Sequence, residues 1–157
     1  MKKNLTLIGI ILLALIRFIL LINKDDKVSS KIIKKYKNTK EEQFSVNLSD
    51  YTSFDWDSIV IYHLPKTKKE ISDLAGFEYT DSIDLSSGII FIKNNKKVYE
   101  EKFKITKYND YKFIVYPTKQ NGVRATRIEK KDAIFKGYKT TSKGRTRYSL
   151  YPVENNK

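Results

Sequence analysis

Between Leu5 and Ile22 the chain is apolar at every position except Thr6 and Arg17, and Lys2 and Lys3 precede the run. Eighteen residues at the α-helical rise span about 27 Å, close to the hydrocarbon thickness of a bilayer. A cleavable export signal would share this layout as far as Ala14. However, no small-x-small site follows, because the run ends in Asn23, Lys24, Asp25 and Asp26. The expectation is therefore an uncleaved transmembrane signal anchor over residues 1–23. Arg17 lies five residues from the end of the run, near enough to extend its guanidinium toward the interface.

The anchor's orientation draws on two opposed cues. A short head carrying two lysines is the usual layout of an exported anchor. Lys24, Lys27, Lys31, Lys34, Lys35, Lys37 and Lys40 follow the run, and the positive-inside rule would keep them in the cytoplasm. The head prevails in this reading, which places a single domain on the extracytoplasmic side of a cell membrane.

Residues 24–43 read as a charged stalk. Within it Val28, Ile32 and Tyr36 recur every four residues, the spacing of a helix that either extends the membrane helix or forms a short amphipathic one. From Phe44 the period drops to two, with Phe44, Val46 and Leu48 alternating with polar residues as on a half-buried strand. Ser58 to His63 reads as a buried strand stopped by Pro65. Thr67 and Glu70 have capping-box spacing, Ile71, Leu74 and Ala75 share a face, and Gly76 is placed to end the helix.

The remainder reads as β. Ser86-Ser87-Gly88 is expected as a loop, Gly88 to Lys93 as the central strand, and Asn94-Asn95 as a tight turn into Val98–Ile105. Further strands are expected at Tyr111–Tyr116, Val123–Ile128 after an Asn121-Gly122 turn, Ala133–Lys139 and Arg147–Val153. The expected fold class is α+β: an N-terminal transmembrane helix, then an antiparallel β-meander domain over 44–157 with one short helix.

Composition narrows the chemistry. There is no cysteine, which excludes disulfides, thiolate metal sites and cysteine nucleophiles. His63 is the only histidine, so any imidazole chemistry depends on that one residue. No phosphate-binding loop, nucleophile elbow or metal-spaced cluster is present, so neither a cofactor nor a metal nor a catalytic residue is expected. Asp55 and Asp57, flanking Trp56, are the one carboxylate pair that an envelope hydrolase would use.

Phe54-Asp55-Trp56-Asp57, then a strand, Pro65, a capped helix ending at Gly76 and the hydrophobic strand Ile89–Ile92, carries a resemblance. It is similar to a group of small membrane-anchored or secreted proteins of low-GC Gram-positive bacteria. The resemblance covers about a third of the chain. In those relatives a tyrosine usually precedes the proline, whereas here the order is Tyr62-His63-Leu64-Pro65. The resemblance implies an anchor and a fold, and it transfers no site.

Charge is distributed unevenly. Residues 41–110 carry nine Lys/Arg and thirteen Asp/Glu, whereas 111–157 carry twelve and three. The second excess exceeds what solubility requires and points to an anionic partner. The expected binding surface comprises Arg124, Arg127, Lys136, Lys139, Lys143, Arg145, Arg147 and Tyr148. The expected function is a non-enzymatic, membrane-anchored binding protein, in one version an immunity-type protein that neutralises a secreted toxin. The alternatives are a binder of an envelope polyanion (teichoic acid or anionic lipid) and the hydrolase using Asp55 and Asp57. Tyrosines interleaved with the cations are a weak signal for nucleic acid.

Overall fold

The computed structural model describes residues 27–65, 67–83, 86–105, 112–118 and 122–153. Helix α1 (Val28–Tyr36) opens the described chain, followed by strand β1 (Gln43–Asn47), a 3₁₀ turn (Leu48–Tyr51) and β2 (Ser58–His63). Next come α2 (Lys68–Ala75), β3 (Ser86–Lys93), β4 (Lys96–Lys104) and β5 (Phe113–Val115). β6 (Ala125–Glu129), a 3₁₀ turn (Lys130–Asp132), β7 (Ile134–Ser142) and β8 (Arg145–Pro152) complete it.

The strands form two four-stranded sheets, ordered β1-β7-β8-β5 and β4-β3-β2-β6. Their facing sides share one core. Phe44, Val46, Phe113, Val115, Phe135, Tyr148 and Leu150 come from the first sheet, and Ile59, Ile61, Ile89, Phe91 and Phe103 from the second. The other parity of β2 and β3 (Val60, Tyr62, Ile90, Ile92) packs under Ile71 and Ala75 of α2 and under Tyr79. The central strands β2 and β3 of the second sheet are thus buried on both faces, which is why they read as continuous apolar runs rather than alternations.

Local sequence accounts for the elements. The Thr67 hydroxyl accepts from the Glu70 amide at 3.3 Å, and Gly76 ends α2 at φ +78°. Val28 and Ile32 of α1 insert into the shared core, so this part of the stretch expected as a stalk belongs to the folded domain. The helix bridges the two sheets. Tyr36 stacks on Phe44 of β1 with centroids 3.9 Å apart, while Glu101 of β4 accepts from both the amide and the hydroxyl of Ser29.

Several expectations need correction. The meander does not hold, because β1 pairs with β7, β2 with β6, and β5 runs parallel to β8. Meander pairing does occur where a tight turn forces it, through Asn94-Asn95 between β3 and β4 and Lys143-Gly144 between β7 and β8, all at positive φ. Among the described residues the domain carries two helices, α1 in the stretch expected as a stalk and α2 as the one short helix expected within 44–157. Ser86 and Ser87 begin β3 instead of forming a loop, with the Ser87 hydroxyl donating to the Tyr62 and Val115 carbonyls at 3.0 and 3.1 Å.

The transmembrane element is corrected as well. Among the described residues no helix is long and apolar enough to cross a membrane, a statement that does not bear on β-barrels. The nine residues of α1 span only about 14 Å, half a bilayer, and their apolar face is spent on the core. Residues 1–23, where the anchor was expected, lie outside the described residues. A single-pass anchor and an extracytoplasmic location are therefore not supported.

Candidate functional site

The carboxylate pair is structural. Asp55 is ion-paired with Lys93 and with Lys130, the latter at 3.1 Å. Hydrogen bonds from these lysines, Lys93 first, lower the Asp55 pKa to about 2. Asp57 accepts from the Asn94 amide at 2.9 Å and so fastens the β3–β4 turn, and its own amide donates to the Ile92 carbonyl at 2.8 Å. Both carboxylates are thus engaged in holding strand ends together, and the hydrolase reading fails on that ground. Among the described residues no group of three or more His, Asp or Glu is arranged to hold a metal ion.

His63 closes β2 beside Leu64, which adopts a left-handed φ of +47°. Burial, and secondarily the charge of Arg124, lowers its pKa. Its ring lies 4.9 Å from that of Tyr116.

The eight residues expected to bind an anion do not form one surface. Tyr148 is 2% exposed and faces the shared core. Lys139 donates to the Lys37 and Thr39 carbonyls at 3.0 and 2.6 Å, tying β7 to the chain after α1. Arg124 and Arg127 belong to the second sheet's side. Arg124 donates to the Leu64 carbonyl at 2.7 Å and Arg127 to the Leu74 carbonyl at 3.1 Å. The remaining four lie along the β7–β8 hairpin, Lys136 near its open end and Lys143, Arg145 and Arg147 near its turn.

Strand parity explains the division. On β8, Tyr148 and Leu150 point inward, so Arg145, Arg147, Ser149 and Tyr151 point outward. On β7, Phe135 points inward and Lys136 and Tyr138 outward. The register sets Lys136 opposite Tyr151 and Thr140 opposite Arg147. The four strands of the first sheet contain Lys136, Lys139, Arg145 and Arg147 and no Asp or Glu. At the far end of this face, Ile134 and Val153 are 42% and 45% exposed.

A ridge of tyrosines, Tyr116, Tyr138 and Tyr151, crosses the same face, and none of the three was in the expected binding surface. Tyr116 stacks on Tyr151 at 4.7 Å with an 8° interplanar angle, and Tyr138 meets Tyr151 edge-on at 5.7 Å. A 4.7 Å centroid spacing is about the distance between neighbouring strands, so the parallel rings stand upright on the sheet. Lys136 Nζ sits 5.7 Å from the Tyr138 centroid.

No family model matches the chain, and no curated protein or solved structure matches it significantly.

Proposed function

We propose that this domain is a non-catalytic recognition module that takes an anionic partner on the outer face of the β1-β7-β8-β5 sheet. The observation that carries the reading is charge segregation by face: the sheet's strands bear four cations and no carboxylate. Three of those cations, Lys136, Arg145 and Arg147, project outward around upright tyrosines. Lys143 extends the same charge at the hairpin turn. A broad face with interspersed Lys, Arg and Tyr suits a partner that is itself extended, and the excess of cations steers its approach. The immunity-type and envelope-polymer versions rested on a membrane anchor and lose that premise.

The test is binding of a fluorescent heparin fragment, used as a generic polyanion, across a salt series. Replacing Lys136, Arg145 and Arg147 together with glutamine should weaken binding at least tenfold at low salt. It should also reduce the slope of log affinity against log salt by about two. Lys34→Gln, on the exposed side of α1, should change neither. A triple variant that keeps the affinity and salt slope of the unmodified chain would sink the reading.

A further inference from the structure

A second concentration of charge lies away from that face, in a cleft of about 300 Å³ where the start of α1, the end of β4 and the start of β5 meet. Its rim carries Lys27, Lys104 and Lys112, and its wall is formed by Ile33, Phe103 and Phe113. Each of the three lysines is exposed, and none has a carboxylate within ion-pair distance among the described residues. Lys102 also borders the cleft, but its ammonium is drawn to Asp81 and Glu100.

Among the described residues Glu101 is the cleft's one carboxylate, and it is already engaged. It takes hydrogen bonds from the amide and hydroxyl of Ser29, and from the Tyr99 hydroxyl at 3.4 Å. It therefore occupies the amino end of α1, and its single negative charge leaves the three rim lysines in excess. A concave site with a net excess of one sign of charge and low-dielectric walls focuses its field far more than a flat surface does. The volume is at the small end of the range for ligand pockets.

We infer that this cleft binds a small organic phosphate, with the phosphate on the lysine rim and the organic part against Ile33, Phe103 and Phe113. The charge calls for an anion, while the apolar wall calls for something attached to it. The site is separate from the outer sheet face, and its occupancy is independent of the function proposed there.

The experiment is a titration of the isotope-labelled full chain with inorganic phosphate and with phenyl phosphate, followed by amide chemical shifts. The expected result is saturable shifts at Lys27, Ser30, Lys104 and Lys112, with phenyl phosphate binding about tenfold more tightly than inorganic phosphate. Lys27→Gln with Lys112→Gln should weaken phenyl phosphate binding about tenfold or more, while Lys136→Gln leaves it unchanged. Urea midpoints equal to that of the unmodified chain would show that the variants fold. Shifts that fail to saturate, or saturate identically in the double variant, would overturn the site. Equal affinity for the two phosphates would overturn the part assigned to the apolar wall.

Discussion

A methyl group added at Gly137 would fall 2.2 Å from Cε2 of Phe44. Tyr36 stacks on Phe44, so glycine, aromatic and aromatic form one layered contact that joins β7, β1 and α1. Here a single hydrogen in place of a side chain decides how close a strand and a helix can come. Asp55 is the corresponding electrostatic position. Its pKa falls from 3.8 to about 2 through Lys93 and Lys130. A folded-state pKa below the unfolded one gives stability that is fully present above the unfolded value and is lost as pH falls through the folded one. The stability advantage of the unmodified chain over Asp55→Asn should thus be constant above about pH 4 and shrink toward pH 2. Urea unfolding of both proteins across that range measures it. An advantage that does not change with pH would mean that the lysine pairs do not hold the carboxylate ionised.

At the scale of elements, α1 is held by a residue far from it in sequence. Its N-cap, Lys27, makes no side-chain cap, and Glu101 accepts from the Ser29 amide instead. Glu101→Ala should cost about 2 kcal/mol, because a charge-assisted bond is lost and buried donors are left unpaired. The loss should also be local: amides at Ser29 to Lys31 should exchange at least about tenfold faster, while those of β2 and β3 keep their protection. Unchanged exchange in α1 would mean that core packing alone holds the helix. This cap also illustrates what the residues did and did not disclose. Val28, Ile32 and Tyr36 disclosed α1, Thr67 with Gly76 disclosed α2, and Asn94-Asn95 disclosed a hairpin, because each signal is local. Glu101 as a cap, β1 against β7, and β5 parallel to β8 depend on contacts across most of the chain, and no periodicity encodes them. The site was partly legible for the same reason. Odd and even positions of β8 already separate Tyr148 from Arg145 and Arg147. The assignment of Arg124 and Arg127 to another sheet was hidden, because it follows from pairing with β2.

At the scale of the whole molecule, each sheet is assembled from distant parts of the chain. The first sheet joins β1 to β5, β7 and β8, and the second joins β2, β3 and β4 to β6. Neither sheet can be completed before the last third of the chain is in place, so folding must wait on long-range closure. Trp56, the only tryptophan, sits 1% exposed in the core that both sheets share. It meets the Phe91 ring edge-on at 5.2 Å, and its indole N–H donates to the Thr52 hydroxyl at 3.0 Å. Its fluorescence therefore reports the contact between layers, whereas far-UV circular dichroism reports the strands themselves. If one core supports both sheets, the layers cannot separate while the strands persist. Urea curves from the two signals should then coincide in midpoint and slope. Phe91→Ala should move both midpoints down together, by about 3–5 kcal/mol of stability, because the cavity opens where the layers meet. A fluorescence transition preceding the loss of strand signal would instead mean that one sheet, with α2 behind it, stands alone. The second sheet would be that unit, since its central strands β2 and β3 are buried on both faces.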